Sequence, residues 1–191
     1  WEGQDLATCQ AMVNEMGITA FLAECQHEVE EAEGSLFEHV TFRYVSLDNL
    51  AGRLVRIATW VDPAVTDTDH SDSHGICVAG IDERDTVYMV WGWDGRGSPR
   101  DTLRTAILRT VDYGGDRVGV ETDQGGDTWR ELYATVVDEL VREKAITRQD
   151  APLFVEAKAG AGYGPKAHRA SQMLADYEMG RIYHVAGQTA L

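Results

Sequence analysis

LVRIATWVD, at residues 54–62, opens the part of the sequence that decides the fold. It is rich in β-branched and aromatic residues, alternates in part and stops where Asp62 meets a proline, which predicts a β-strand. The segments GICVAGI (75–81) and TVYMVWGW (86–93) are separated by a short link, so they predict an antiparallel hairpin. A fourth strand is predicted at RVGVE (117–121), which also ends on an acid.

Helical segments separate the later strands. Ser98 and Pro99 predict a helix start, with the serine as N-cap and the proline in the first turn. The clearest helical periodicity runs over about 128–143, where Thr128 and Glu131 form a capping box ahead of apolar residues that recur every three or four positions. The remaining predicted elements are a strand at LFVEA (153–157), a helix near 166–179 and a strand at RIYHV (181–185).

The order of these elements is β, β, β, α, β, α, β, α. An antiparallel meander comes first, and the later strands are parallel because helical crossovers separate them. This order predicts an α/β protein with a ribonuclease H-like fold, in which helices flank a mixed sheet.

Length and composition fit one globular domain with a short appendage. The chain has 191 residues, of which 43% are hydrophobic and 26% are charged. The strand-rich pattern begins near residue 53, so we expect residues 51–191 to form the main domain and residues 1–50 to be a linker or the tail of a preceding domain. The sequence starts at Trp1 without a signal peptide, which suggests an excised piece. No apolar run reaches the length of a transmembrane helix, so no membrane association is expected.

The net charge of −15 argues against a protein that binds nucleic acid through bulk electrostatic attraction, because phosphates would be repelled on average. It is compatible with an acidic metal site served by a local strip of cations. The three cysteines are widely spaced and form no CxxC motif, so they indicate neither a disulfide framework nor a thiolate zinc site. A reducing compartment is expected.

Two of the predicted strands end on acids, Asp62 and Glu121. If both face one crevice, their oxygens are the ligands that two divalent ions need in phosphodiester cleavage. Two carboxylates about 4 Å apart repel each other by roughly 4 kcal/mol at an effective dielectric constant of about 20, so such a pair favours a cation. Alternatively, each acid only caps a turn. In the loop TDTDHSDSH (66–74), one acid is a candidate auxiliary ligand, and a solvated loop explains most of the other residues.

The Gly-rich segment GAGYGPKAHRA (160–170) lacks the Gly-Lys-Ser/Thr ending of a phosphate-binding P-loop, so it predicts no ATP site. Lys166 and Arg169 lie three residues apart at the expected start of a helix, and Lys158 is close in sequence. These cations are candidates for contacts with a DNA backbone. An ordinary solvated helix end is the alternative.

Three segments carry a resemblance to a known family. They are VDPAVTDTDHSDSHGICVAGID (61–82), GVETDQGGDTWRELY (119–133) and KAHRASQMLADYEMGRIYHV (166–185). In content, order and spacing they resemble the nuclease domain of phage terminase large subunits, over about residues 53–185. Residues 1–45 are similar to the link that follows the packaging ATPase domain in that family.

The resemblance implies a metal-dependent endonuclease that cuts concatemeric viral DNA by two-metal hydrolysis during packaging. Asp62 and Glu121 match two of the family's metal-binding acids, two Mg²⁺ or Mn²⁺ ions are expected, and Asp72 is the candidate for a further ligand. The family's third metal-binding acid lies downstream of the Gly-Arg-x-x-His strand, and this sequence stops at Leu191 before such a position. We therefore expect the isolated chain to have weak nuclease activity or none. The implied partners are double-stranded DNA, the portal or procapsid and the small terminase subunit, in the host cytoplasm.

Two alternatives stay open on the sequence alone. One is another ribonuclease H-like nuclease, of the resolvase or transposase type. The other is a catalytically silent module that docks DNA or portal protein, which the net charge of −15 favours for an isolated piece. In the parent reading frame, an upstream Walker A segment and a downstream aspartate would select the terminase, whereas an upstream DNA-binding domain would select the transposase type.

Overall fold

The computed structural model of the chain describes residues 6–16, 18, 21, 37, 40–63, 73–122, 126–157, 170 and 173–187. The helices are α1 (Leu6–Met16), α2 (Pro99–Asp112), α3 (Gly126–Arg142) and α4 (Leu174–Glu178). The strands are β1 (Tyr44–Val45), β2 (Leu54–Asp62), β3 (His74–Asp82), β4 (Val87–Gly95), β5 (Arg117–Glu121), β6 (Leu153–Ala157) and β7 (Ile182–Val185), and a 3₁₀ turn covers Leu47–Leu50. Within these ranges, no helix is long and apolar enough to cross a membrane.

Most of the predicted elements are confirmed. β2, β5 and β6 have their predicted bounds. β3 is longer than predicted by one residue at each end, whereas β4 starts one residue later and ends two residues later than predicted. Ser98 caps α2 as predicted, since its hydroxyl accepts the backbone N–H of Asp101 at 3.1 Å. The capping box of Thr128 and Glu131 is wrong, because α3 begins at Gly126 and Thr128 lies inside its first turn.

Seven strands form one mixed sheet in the order β1-β7-β4-β3-β2-β5-β6. β2, β3 and β4 form the antiparallel meander, whereas β5 and β6 are added parallel to β2. The predicted mixed sheet is therefore confirmed. β1, which pairs in parallel with β7, was missed because two residues are too short to show a periodic pattern.

The chain divides into two compact units. The first comprises Trp1–Arg43 and Ala161–Tyr183, and in it the ring of Tyr177 is met edge-on by Phe37 and Phe42, at centroid distances of 5.8 Å and 5.3 Å. The second, which we call the sheet unit, comprises Tyr44–Gly160 and His184–Leu191.

One face of the sheet carries the core of the sheet unit, and we call it the helix face. Val61, Val118 and Val120 point from β2 and β5 toward α2 and α3, whose apolar side chains cover them. The fully buried helix residues include Leu103, Ile107, Val136 and Leu140. The burial of each such side chain stabilises the fold by about 1.5–3 kcal/mol. This packing therefore holds the strands in place against the helices. Because strand side chains alternate, the residues between those valines point to the other face.

Candidate active site

The acids at the ends of β2 and β5 lie side by side. β2 and β5 are parallel, with Val61 opposite Val120, so the next residues of the two strands, Asp62 and Glu121, end them at the same edge. We call this the acid edge. Neighbouring strands are about 4.8 Å apart, and residues at matching positions of parallel strands point to the same face. Both acids therefore lie on the face opposite the helices, which we call the acid face.

This pair of carboxylates fits a divalent cation. Asp62 and Glu121 are both half-buried, and their mutual repulsion at such a spacing favours a bound positive charge. In the part of the chain that the structure describes, no group of three or more His, Cys, Asp or Glu side chains is arranged to hold a metal ion. A pair is nevertheless a sufficient protein contribution for Mg²⁺, which commonly binds one or two carboxylates and takes its other ligands from water and substrate phosphates.

A tryptophan forms the surface beside the acids. Trp60 lies opposite Gly119 in the β2–β5 pair, and a Cβ atom at position 119 would lie 2.2 Å from ring atoms Cε3 and Cζ3. The indole therefore covers the glycine, and it is still 40% exposed. Only glycine at position 119 leaves room for this arrangement. Sequence reasoning missed this contact, because it depends on how β5 aligns with β2.

An open groove of about 520 Å³ runs along the acid face next to these residues. Its lining includes Trp60, Asp62, Cys77, Met89, Asp94 and His184. Burial raises the pKa of the Cys77 thiol to about 11 and lowers the pKa of His184. Both side chains are consequently uncharged near neutral pH, and the acids supply the charge of the groove.

Asp94 is a further acid of this edge that sequence reasoning missed. The sequence predicts a strand that ends at residue 93, but β4 continues to Gly95. Gly75 is the partner of Asp62 in one strand pair and of Asp94 in the next, so the two acids flank a glycine at one level of the sheet. The hydroxyl of Ser73 donates to Asp94 at 3.2 Å. The sequence did carry a signal for the longer strand, because WGWDG (91–95) continues the alternation of β4.

The other predicted site residues are not brought to this site by the structure. Asp72, Lys158, Lys166 and Arg169 lie outside the described residues. His74, which was placed in the acidic loop, instead begins β3 and is buried. Its Nε2 lies 3.0 Å from the carbonyl oxygen of Gly97, so it anchors the loop that follows β4.

The opposite edge of the meander also holds an acid, and there its role is structural. We call this the hairpin edge, after the turn between β3 and β4. Oδ1 of Asp82 accepts the backbone N–H groups of Arg84 and Thr86 at 2.9 Å and 3.0 Å, and Oδ2 accepts the hydroxyl of Tyr88 at 3.0 Å. Burial raises the pKa of Asp82, but these hydrogen bonds together outweigh it, so the pKa lies below its ordinary value.

The mixed sheet of antiparallel and parallel strands, flanked by helices, is a ribonuclease H-like fold. The family described as Terminase RNaseH-like domain has a model that matches residues 59–190, and the chain belongs to this family. Both the predicted fold class and the resemblance to a terminase nuclease domain are confirmed.

Similar solved structures include two viral nuclease domains and a bacterial protein. The human cytomegalovirus terminase nuclease domain has a TM-score of 0.51 at 15% identity, over 83% of this chain and 76% of that one. The nuclease domain of the large terminase subunit gp2 of bacterial virus Sf6 has a TM-score of 0.45 at 9% identity, over 73% and 67%. T. thermophilus RuvC in complex with a Holliday junction substrate has a TM-score of 0.34 at 11% identity, over 64% and 91%. Among curated proteins, the comparison finds no match.

Proposed function

We propose that this chain is the metal-dependent DNA endonuclease domain of a viral genome-packaging terminase, and that it cuts concatemeric DNA by phosphodiester hydrolysis. The observation that carries the proposal is the placement of Asp62 and Glu121 at matching ends of adjacent parallel strands, on one face of the sheet. Membership of the Terminase RNaseH-like domain family and the nuclease domains among the solved structures support it.

Asp62 and Glu121 would hold Mg²⁺ or Mn²⁺, with two ions expected and Asp72 as a further ligand. Bound there, the metal would activate water as the nucleophile and neutralise charge on the phosphate. The protein's part is to fix the carboxylates. Asp62 ends a strand that is paired on both sides, with β3 and with β5, and it lies opposite Gly75 of β3. Glu121 ends a strand that is paired with β2 and β6.

The substrate in this proposal is double-stranded DNA, with Lys158, Lys166 and Arg169 as contacts to its backbone. The portal or procapsid and the small terminase subunit are the further partners that a packaging role implies, in the host cytoplasm. Replacing Lys166 and Arg169 with alanine is expected to weaken DNA binding and to lower its salt dependence, by about one unit of slope for each phosphate that is no longer bound. An unchanged slope in a fluorescence-anisotropy titration would contradict these contacts.

Metal binding and cutting test the site directly. We expect the 191-residue chain to bind Mn²⁺ in isothermal titration calorimetry and to nick supercoiled plasmid slowly when Mn²⁺ or Mg²⁺ is present. Asp62→Ala and Glu121→Ala should each weaken Mn²⁺ binding and abolish nicking, because each removes an oxygen ligand of the same ion.

Asp116→Ala is the matched control. Asp116 is an exposed acid just before β5, at the far end of the strand that carries Glu121, and its carboxylate forms an ion pair with Arg117 at 3.4 Å. This variant removes the same charge and should leave Mn²⁺ binding and nicking unchanged. Equal losses in all three variants would point to overall charge, and undiminished nicking by Asp62→Ala would end the assignment of this site. A chain that binds DNA but neither Mn²⁺ nor Mg²⁺ would instead be the silent docking module.

A further inference from the structure

Most of the positive charge in the sheet unit is already neutralised. Seven described arginines of this unit form ion pairs, and several of these pairs lie in the helix layer. Arg100 contacts Glu139 at 2.7 Å, and Arg104 contacts Glu143. In a chain with a net charge of −15, these cations are not available to a phosphate backbone without breaking an existing pair.

The described cations of the sheet unit that form no ion pair lie at different places in the fold. Among the described residues of the sheet unit, the cations without an ion pair are Arg56, Arg84, Arg96, Arg142 and Lys144. Arg56 is opposite Ile81, and Arg84 lies in the turn that follows, so both are at the hairpin edge. Arg142 and Lys144 lie at the end of α3. Arg96 is the member of this set that directly follows a strand end at the acid edge.

The backbone places Arg96 close to the proposed site. It leaves β4 one residue after Gly95, and Asp94, Gly75 and Asp62 share one level across β4, β3 and β2. Two strand spacings separate β4 from β2, which puts the backbone of Asp94 about 10 Å from that of Asp62, and Arg96 follows two residues further along the chain. The chain around it is anchored, since the carbonyl of Gly97 is held by His74 and Ser98 caps α2. A Cβ atom at Gly97 would have nothing within 4 Å, so the exposed arginine has free space beside it.

We propose that Arg96 binds a backbone phosphate of duplex DNA as the duplex lies across the acid edge. This inference rests on the proposed function and names a binding residue for the same site. A guanidinium offers a planar, bidentate donor set that matches phosphate, and it keeps its charge at all working pH values. Its charge would offset the repulsion that the acids exert on the backbone of the approaching DNA. An anchored loop also loses less conformational freedom on binding than a loose one.

Salt dependence of binding tests this contact. The experiment measures binding of the 191-residue chain to a short fluorescein-labelled duplex by anisotropy at a series of salt concentrations, with Ca²⁺ as the metal ion. Arg96→Ala should weaken binding about fivefold and lower the slope of log K against log salt by about 0.9, the value for one duplex phosphate. Arg96→Lys should recover most of the slope, because a lysine keeps the charge but not the bidentate geometry.

Arg84→Ala is the control. It removes the same charge from an exposed arginine at the hairpin edge, and it keeps the backbone N–H that donates to Asp82. A normal slope for Arg84→Ala beside a reduced slope for Arg96→Ala supports the contact. Equal reductions in both variants, an unchanged slope in Arg96→Ala, or no measurable binding by the parent chain would each overturn it. The proposed function is judged separately, because loss of nicking in Asp62→Ala does not depend on Arg96. A parent chain that never nicks, but shows the Arg96 slope effect, would leave this contact standing and remove the nuclease assignment.

Discussion

The acid edge and the hairpin edge of the sheet both hold an aspartate at a strand end, yet the two aspartates have different surroundings. At the hairpin edge, Asp82 is buried and accepts hydrogen bonds from two backbone N–H groups and from Tyr88. At the acid edge, Asp62 is half-buried and lies level with a second carboxylate, Glu121. The first arrangement uses the charge to close a turn, whereas the second brings two carboxylates to one edge of the sheet, where their oxygens can bind a cation.

The difference follows from how the chain reaches each edge. A hairpin returns at once, so its own turn supplies donors for the acid that precedes it. Parallel strands come from distant parts of the sequence, so their ends meet without a shared turn and leave room for another molecule. A strand-end acid therefore gains its role from the topology around it and not from its residue type.

Replacing each aspartate in turn should give the largest difference between the two edges. We expect Asp62→Ala to reduce metal-dependent nicking by at least about a hundredfold, because the metal supplies several kcal/mol of stabilisation in the transition state. Its free energy of unfolding should change little. Asp82→Ala should do the reverse, keeping the nicking rate of folded protein and lowering the midpoint of urea unfolding. Plasmid relaxation measures nicking and urea titration measures stability in both variants. A large loss of stability in Asp62→Ala alone would contradict a functional role for Asp62 and a structural role for Asp82.

Gly119 tests how tightly the surface beside the acids is built. A Cβ atom there would overlap the ring of Trp60, so Gly119→Ala should lower the free energy of unfolding by about 1–3 kcal/mol, as overpacking does. Gly97→Ala is the control, since that position has open space and should change the unfolding free energy by less than about 0.5 kcal/mol. Adding Trp60→Ala to Gly119→Ala should recover part of the loss. Equal unfolding curves for the two glycine variants would show that the indole moves aside freely.

Cys77 should make the acid face sensitive to alkaline conditions. Its folded pKa is raised by burial from the ordinary 9.0 to about 11, so the unfolded chain loses this proton first as pH increases. Stability therefore falls between about pH 9 and pH 11, by about 1.4 kcal/mol at pH 10 for a shift of this size. Cys77→Ala should remove this part of the pH dependence in urea titrations at neutral and alkaline pH. A dependence that is the same in the variant would contradict a buried, protonated thiol.

Asp82 should have a smaller effect at the other end of the pH range. Its folded pKa is lowered, so its contribution to stability is present above the ordinary pKa of an aspartate and is lost as pH falls through the folded value. Asp82→Asn should flatten the loss of stability below about pH 4, where the parent chain takes up this proton on unfolding. Thermal melts over that range measure the slope, with Asp116→Asn as the comparison. Parallel melting curves for parent and Asp82→Asn would disprove the linkage.

The central sheet could be predicted from the sequence because each of its strands carries its own signal. The alternation in 54–62 and the acid-ended 117–121 indicated the bounds of β2 and β5, and the helices between later strands predicted their parallel pairing. The sequence places Asp62 and Glu121 at strand ends, and the parallel pairing of β2 with β5 makes them neighbours. Their neighbouring positions were thus available from pattern and topology together.

The missed features depend on register, which no local pattern encodes. Asp94 reaches the acid edge because of a shift in register between Val78 and Ala79, within the β3–β4 pair. The place of Gly119 under Trp60 depends on how β5 aligns with β2. The role of Asp82 was missed because its donors come from the turn itself, where the sequence shows only a polar link. In each case the deciding information is a relation between segments that a single run of residues does not contain.

The pairing of β1 with β7 has a consequence for the order in which the sheet assembles. It joins Tyr44 to His184 and Val45 to Val185, which are 140 positions apart, whereas β2, β3 and β4 follow one another closely. Loop-closure entropy delays contacts between distant segments, so the meander is expected to nucleate folding and β1 to dock last. The N–H of Ala186 donates to the carbonyl of Val45 at 3.0 Å, and its hydrogen exchange should report an opening that costs far less than global unfolding. We therefore expect β1 to pair with β7 late in folding, and to separate from it and pair again while the meander stays folded.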